Sequence, residues 1–382
     1  MAAGGNRKII GILYNTNPKW MGGVIYILNA IKILNWLEED RKPQIKLFYR
    51  KDLKRFVDEI DYPYLEAIEW EFPEIRKGYM ISWLTRKNAF IEKMVKTNHL
   101  DAIFPMHDFP ISSSRYRSVR QVGWYADLQH KHYPQFFTQR KLWERDLRIR
   151  FILKNCRHLV VSSQAVLDDF HRFFKMKDIQ THIFHFASVV DSFDFSGWDA
   201  LRKEKGLPKE YFMVSNQFHK HKNHQVVLEA LGILKERGTR PVVAFTGRMP
   251  SIDQSEYIRN LHGLIEKHNL EQQVVFLGVL SRQQQLTLMR YAQAVIQPSL
   301  FEGWSTVIED AISLQTPVIA SKLNVNQEQL GGQATFFPKK NASKLAHILS
   351  KYPSRKNFNK KIYEDYDDHV KKAAESFLQI MI

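Results

Sequence analysis

Cysteine is almost absent from this chain of 382 residues, which contains only Cys156. A single cysteine excludes a disulfide framework and a zinc cluster built from cysteines, and it fits a reducing compartment. Long apolar runs are also absent, since no stretch approaches the ~20 residues that a helix needs to span a bilayer. The first residues lack the apolar region and cleavage site of a signal peptide. We therefore expect a cytoplasmic protein, or one that lies on the inner face of the membrane.

Positive charge, by contrast, is abundant, because 56 Lys and Arg face 40 Asp and Glu, for a net charge of +16. The excess is uneven: between Pro110 and Val160, eleven basic residues stand against three acidic ones and alternate with aromatic residues. Such a segment is typical of an interfacial helix or a nucleic-acid patch, and also of a solvated helix face. We expect a phosphate-bearing or lipid-linked partner or an anionic membrane surface here, and no nucleic acid.

The first half of the chain alternates short apolar runs with helical patterns. Lys8–Tyr14 reads as a buried strand, Met21–Gly23 as a glycine-bearing turn and Val24–Leu37 as a helix, which is the opening unit of a doubly wound domain. Further strands are predicted at Gln44–Tyr49, Leu100–Met106, Gln121–Tyr125, His158–Ser162 and His182–Phe186. This alternation predicts a parallel sheet with right-handed crossovers.

The same alternation restarts in the second half of the chain. The polar segment 190–209 contains glycine and proline without a sustained pattern and is predicted as a linker. Strands are predicted at Tyr211–Ser215, Pro241–Gly247, Val274–Gly278, Ala294–Pro298 and Thr316–Ser321, and helices at His224–Arg237, Ser255–His268, Arg282–Tyr291 and Ser305–Leu314. We therefore predict an α/β fold of two Rossmann-like doubly wound domains, 1–189 and 210–361, with a ligand cleft at the carboxyl ends of their strands.

The segment Ser299–Asp310 (SLFEGWSTVIED) joins a predicted strand to a predicted helix. Free backbone N–H groups at Trp304–Thr306 would form an anion site at the start of the helix. Glu302 in the loop could reach a sugar hydroxyl, and Glu309 could accept hydrogen bonds from ribose hydroxyls. On spacing alone, an N-capped helix with solvated acids explains the same residues.

The longer segment PSLFEGWSTVIEDAISLQTPVIAS resembles the donor-site signature of the family-four retaining glycosyltransferases, which have the GT-B fold. The resemblance implies a central cleft, and a C-terminal helix at 362–382 that crosses back to the first domain. It implies that the donor is held by Glu302, Gly303, Trp304, Ser305, Thr306 and Glu309. The family usually places seven residues between its two glutamates; here there are six, and Asp310 stands at the seven-residue spacing.

The second motif is Ser215–His224 (SNQFHKHKNH), a basic loop between a strand and a helix. Cations here would stabilise the charge on a departing diphosphate, although a basic surface loop fits equally. In the family an arginine is followed five residues later by a lysine. Lys222 matches the lysine, whereas Gln217 stands where arginine is usual, and His219 or Lys220 could substitute.

Weaker signals complete the two predicted sites. Glycines let a backbone approach a ligand closely, and the resemblance implies backbone contacts to the nucleobase. The additional donor-binding residues are Gly22, Gly23, Arg248, Gly278, Val279 and Leu280. The segment Trp124–Phe137 resembles an acceptor-side segment of the family, and the predicted acceptor-binding residues are His107, Asp127, Gln129 and His130.

These features predict a hexosyl- or deoxyhexosyltransferase of polysaccharide biosynthesis that takes a nucleotide-diphosphate sugar and retains the anomeric configuration by front-face substitution. The acceptor would be a glycan, a lipid-linked molecule or another phosphate-bearing molecule. The predicted catalytic residues are Glu302, His107, Asp127 and Lys222. No cofactor or metal ion is expected, because a helix N-terminus and cationic side chains would do the work of a metal. The alternative is a non-catalytic nucleotide-binding or regulatory protein on the same scaffold.

Overall fold

The computed structural model describes residues 7–18, 20–74, 88–106, 118–190, 195–357 and 360–382, with single positions at 77, 80, 81, 84 and 85. The predicted acceptor residue His107 lies outside the described residues. The chain divides into two compact units, one of Met1–Val189 with Asp367–Ile382 and the other of Val190–Tyr366.

The first unit is built on a parallel sheet with the strand order β3-β2-β1-β4-β5-β6-β7. Its strands are β1 (Ile9–Tyr14), β2 (Gln44–Tyr49), β3 (Leu65–Glu69), β4 (Ala102–Met106), β5 (Arg120–Trp124), β6 (His158–Val161) and β7 (Gln180–Ile183). The apolar run of β4 is buried throughout, as expected for a strand covered on both faces. The edge strand β3 was not predicted, because its residues are mostly exposed and carry little apolar signal.

Helices cover this sheet and make the doubly wound pattern. They are α1 (Met21–Lys32), α2 (Lys54–Val57), α3 (Ala89–Asn98), α4 (Gln129–His132), α5 (Gln139–Asn155) and α6 (Gln164–Phe173). Helix α1 begins at Met21, so the two glycines predicted to form a turn lie in its first turn. It ends at Lys32 because the chain continues as a 3-10 helix over Ile33–Trp36.

The second unit has a parallel sheet with the order β10-β9-β8-β11-β12-β13. Its strands are β8 (Phe212–Ser215), β9 (Val243–Thr246), β10 (Val274–Gly278), β11 (Val295–Gln297), β12 (Val318–Ser321) and β13 (Thr335–Phe337). Its helices are α7 (Trp198–Glu204), α8 (His224–Glu236), α9 (Glu256–His268), α10 (Arg282–Tyr291), α11 (Thr306–Ser313), α12 (Asn324–Leu330) and α13 (Ala342–Ser350). Helix α7 lies inside the segment 190–209 that the sequence indicated as a linker.

The last helix, α14 (Tyr366–Met381), belongs from Asp367 onward to the first unit. Its buried residue Phe377 packs edge-on against Phe104 of β4, with ring centroids 5.5 Å apart. An ion pair of 2.6 Å between Glu375 and Arg41 adds a polar contact at its exposed side. Among the described residues, no helix has the length and apolarity needed to cross a membrane.

Candidate active site

Two loops of the second unit lie side by side at the carboxyl edge of its sheet. The lysine loop, residues 216–223, follows β8, and the donor loop, residues 298–305, follows β11. The side chain of Asn223 donates to the carbonyl of Pro298 at 3.1 Å, and the N–H of Leu300 donates to the carbonyl of His221 at 2.7 Å. Because β8 and β11 are neighbouring parallel strands, their loops emerge at one edge and are tied together by these bonds.

An ion pair joins the two loops at the predicted site. The Nζ atom of Lys222 lies 2.7 Å from Oε1 of Glu302, and the two side chains are 19% and 8% exposed. The amide of Gln297 donates to the same carboxylate oxygen at 2.8 Å. The structure therefore brings together the two second-unit residues predicted to be catalytic, and it fixes the glutamate with two donors.

Gln297 is a residue of this site that the sequence analysis missed. It is the last residue of β11 and is fully buried. Its Oε1 accepts a hydrogen bond from Asn216 at 2.8 Å, and its Nε2 also reaches Oγ of Ser305 at 3.0 Å. An amide at the end of an otherwise apolar strand (AVIQ) was the signal that could have revealed it, since a buried polar side chain needs partners.

The start of helix α11 is partly occupied by the protein itself. The Ser305 hydroxyl caps the helix by accepting from the N–H of Ile308 at 3.3 Å. The N–H of Ser305 donates to Oε1 of Gln329 at 3.1 Å, and the Gln329 amide donates back to the Ser305 carbonyl at 2.9 Å. The prediction that all the N–H groups of Trp304–Thr306 are free is therefore wrong for Ser305, because a side chain of α12 already satisfies it.

The two acidic residues of the first helical turns have separate partners. Glu309 is fully buried and accepts from the Trp304 indole at 3.0 Å, from Gln329 at 2.7 Å and from the Tyr366 hydroxyl at 2.9 Å. Asp310 is 1% exposed and forms a two-pronged ion pair with Arg282, at 2.5 and 2.6 Å. Because Glu309 is fully buried, a ribose hydroxyl could reach its carboxylate only if one of the side chains around it moved.

The histidines of the lysine loop, and His224 at the start of α8, supply little positive charge at neutral pH. Burial lowers the pKa of His219, and it lowers the pKa of His221 to about 2 and that of His224 to about 3, with Lys222 adding to each shift. His219 therefore cannot replace the usual arginine as a cation near neutral pH. The Nζ atom of Lys220 lies 3.9 Å from a carboxylate oxygen of Glu256, and this side chain is largely exposed.

The backbone of another basic residue, Arg248, lies against the lysine loop, just after the neighbouring strand β9. The carbonyl of Arg248 accepts from the N–H of Phe218 at 3.1 Å, and Arg248 is exposed. Close approach of the two chains needs Gly247, because a Cβ there would lie 2.3 Å from the carbonyl oxygen of Asn216 and its φ is 138°. The backbone of an arginine thus lies against the loop in which Gln217 takes the place of the family's arginine.

The predicted base-side residues follow β10. Gly278 has φ of 63°, a conformation that favours glycine. Its carbonyl is already used, because it accepts from the N–H of Gly247 and from the Thr246 hydroxyl, both at 2.8 Å. The side chain of Val279 is 72% exposed, and Leu280 is half-buried.

In the first unit the predicted acceptor residues are only partly accessible. Asp127 accepts from the N–H of Gln129 at 2.9 Å and lies 4.0 Å from Arg145. His130 is 2% exposed, and its Nε2 lies 2.9 Å from a carboxylate oxygen of Asp146. Burial lowers the pKa of His130. An acceptor could reach its ring only after this contact opens.

Known proteins resemble this chain in sequence and in fold. The family model of the glycosyl transferases group 1 matches residues 199–366. The chain is 24% identical over 245 residues to the O-antigen chain mannosyltransferase RfbU of Salmonella typhimurium, covering 64% of this chain and 60% of that protein. It is 30% identical over 125 residues to the putative glycosyltransferase EpsF of Bacillus subtilis, covering 32% and 30%. The matched segments thus span less than two thirds of these relatives.

Solved structures extend the likeness to the whole chain. The complex of Anabaena Alr3699/HepE with UDP-glucose is 17% identical, has a TM-score of 0.64, and is matched over 98% of both chains. At this identity the likeness establishes the fold, and the predicted GT-B architecture is confirmed. This chain therefore has the GT-B fold, and residues 199–366 of its second unit match the family model of the glycosyl transferases group 1.

Proposed function

We propose that this protein is a retaining glycosyltransferase that moves a hexose or deoxyhexose from a nucleotide-diphosphate sugar to an acceptor hydroxyl. The observation that carries the proposal is the Lys222–Glu302 ion pair, 2.7 Å long, beside the start of helix α11. The names of the relatives support it: RfbU is described as a mannosyltransferase, and HepE binds UDP-glucose. The donor diphosphate would lie against this helix end, with Glu302 at its sugar.

In the proposed reaction the acceptor oxygen attacks the anomeric carbon from the same face of the sugar ring as that from which the leaving group departs. The bond between that carbon and the phosphate oxygen breaks, and the same phosphate oxygen takes the acceptor proton. The products are a glycoside of retained configuration and a nucleoside diphosphate. Lys222 and Arg248 would stabilise the charge on the diphosphate, with Glu309 on the ribose. Because these cations serve that purpose, we propose that no divalent ion is required.

The test begins with a panel of nucleotide sugars in a thermal-shift assay, where the correct donor raises the melting temperature. Transfer is then measured as nucleoside diphosphate released with and without acceptor, in the presence of a chelator. Glu302→Gln is expected to lose transfer while it keeps nucleotide binding. The matched control is Glu266→Gln, an exposed carboxylate of α9, and it should behave as wild type.

Three results would count against the proposal. Undiminished transfer by Glu302→Gln would remove this residue from the reaction. Loss of activity in the chelator that added Mg²⁺ restores would show that a metal takes part. Binding of a nucleotide without hydrolysis or transfer, across a panel of acceptors, would favour the alternative of a regulatory nucleotide-binding protein on this scaffold.

We further propose that helix α5 holds the protein against an anionic membrane on the cytoplasmic side. Trp143 is 66% exposed, and Arg150 and Lys154 are exposed on the same stripe at helical spacing. Aromatic and basic residues together are typical of an interfacial helix.

Sedimentation with phosphatidylglycerol vesicles tests this membrane proposal. At ~1 kcal/mol for each basic side chain near the surface, the double change Arg150→Ala and Lys154→Ala should weaken binding about 30-fold. Equal sedimentation with phosphatidylglycerol and phosphatidylcholine vesicles would refute it.

A further inference from the structure

A stack of aromatic rings runs from the core of the first unit to its surface. Tyr26 of α1 is 2% exposed and lies flat against Trp124, with centroids 4.2 Å apart and planes 12° apart. Trp124, the last residue of β5, in turn stacks on Trp20, at 5.7 Å and 15°. Trp20 ends the stack and is 45% exposed. Since β5 ends at Trp124, the exposed indole lies at the carboxyl edge of the sheet, where ligands of such folds bind.

The glycines of α1 seat this indole. A Cβ on Gly23 would lie 2.4 Å from Cε3 and 2.5 Å from Cζ3 of Trp20, a distance at which one of them must move. A Cβ on Gly22 would lie 3.4 Å from the indole nitrogen, which is ordinary contact. Gly23 therefore lets the ring lie directly against the helix. With Trp124 stacked on it as well, the exposed ring is held in one orientation before any ligand arrives.

A buried hydroxyl adds a polar group to the same loop. Thr16 lies two residues after β1 ends and four residues before Trp20, and it is 4% exposed. Its Oγ1 atom is buried and makes no hydrogen bond with the described residues. A buried polar atom left unpaired is costly, on the order of 1–3 kcal/mol. A ligand hydroxyl that bonds to Thr16 would remove this cost.

We propose that Trp20 and Thr16 form an acceptor subsite that binds a pyranose ring, so that the acceptor presents a saccharide at this point. One face of a pyranose carries C–H groups and suits an aromatic platform, while its rim of hydroxyls suits a polar partner. The indole and the hydroxyl are both uncharged, which suits a neutral sugar rather than a phosphate group. This inference rests on the proposed transferase function and narrows its acceptor from the wider class named above.

Kinetics of the full chain test the subsite. Trp20→Ala is expected to raise the acceptor KM about tenfold, the loss of one aromatic contact of ~1.5 kcal/mol. Its donor KM and its rate of donor hydrolysis in water should stay at wild-type values. Gly23→Ala keeps the indole but displaces it, so it should raise the acceptor KM in the same way. Trp36→Phe, in the 3-10 helix that follows α1, is the control and should match wild type.

A binding measurement without donor separates this inference from the proposed function. Methyl α-pyranosides of glucose, mannose and galactose are titrated against wild type and Trp20→Ala, with saturation-transfer NMR as the readout. Binding by wild type that is lost in Trp20→Ala supports the subsite even if no transfer is detected. Failure of all three sugars to bind wild type, an unchanged acceptor KM in active Trp20→Ala, or a raised donor KM alone would overturn it.

Discussion

The Lys222–Glu302 ion pair allows a stability effect to be separated from a catalytic one. Breaking a buried pair by removing one partner costs ~3–5 kcal/mol, but here Lys222 is 19% exposed and Gln297 still donates to the carboxylate. Lys222→Met should therefore cost about 2 kcal/mol, because the nearly buried Glu302 keeps one polar donor. Glu302→Gln should cost about 1 kcal/mol, because the remaining ammonium group is the more exposed partner. The double variant is expected to cost 1–2 kcal/mol less than the sum.

The two variants should affect catalysis differently from stability, since in the proposed reaction both charges act on the donor. Each single variant is expected to lose 10²–10³ in kcat, the range seen when one preorganised electrostatic contact is removed, and the double variant should recover none of it. Two double-mutant cycles are measured on the same variants. Urea unfolding of the second unit gives the cycle for stability, and nucleoside diphosphate release gives the cycle for activity. The exposed pair Lys54–Asp58, at 3.0 Å, is the control, and its two stability changes should be additive within experimental error. Additive stability changes at the Lys222–Glu302 pair, or renewed activity in the double variant, would refute the reasoning.

Two further predictions concern the first unit. Phe377→Ala is expected to destabilise it by ~3–5 kcal/mol in urea unfolding, because the ring is fully buried against Phe104. Replacing the exposed Gln379 of the same helix by Ala should change the free energy of unfolding by no more than about 0.5 kcal/mol. Equal effects of the two variants would show that α14 is not part of this core. Burial lowers the pKa of His158 to about 4 from 6.5, so the unfolded chain takes up the proton first and stability should fall as the pH drops from 6.5 towards 4. His158→Gln should make the decline of stability with falling pH shallower than in wild type. An unchanged slope would show that protonation of His158 does not cause the decline.

The sequence predicted strands well where the chain has a continuous apolar run. Strand β2, the edge strand β10 (VVFLG) and helix α10 begin and end at the predicted residues. The edge strands β3 and β13 were missed because they lack such a run. Both contain exposed positions, so the apolar pattern that identifies a strand is weak there. Helix α7 was missed because its short polar sequence lies between glycines in a segment that looked like a linker.

The candidate site was predicted in its motifs but not in its contacts. Spacing could place Glu302 and Lys222 on two loops, and parallel topology then required the loops to be neighbours. Gln297 could have been noticed as an amide at the end of an apolar strand, but its contacts and those of Gln329 could not be deduced, because they depend on what folds against each amide. The position of Trp20 could not be deduced from the sequence either. The glycines beside it suggested close approach of a ligand, whereas in the structure Gly23 makes room for the indole.

The two neighbouring acids of α11 show why a one-residue difference in spacing cannot be resolved from sequence. Successive helical residues point about 100° apart, so Glu309 and Asp310 necessarily face different surroundings. Glu309 accepts hydrogen bonds from Trp304 of the donor loop and from Gln329, so it helps to hold this loop in place. Asp310 pairs with Arg282, which follows the base-side strand β10. In the proposed function, a ribose bound by Glu309 would lie beside the donor loop, whereas one bound by Asp310 would lie beside Arg282. The contacts of the two acids distinguish these arrangements, and their spacing in the sequence does not.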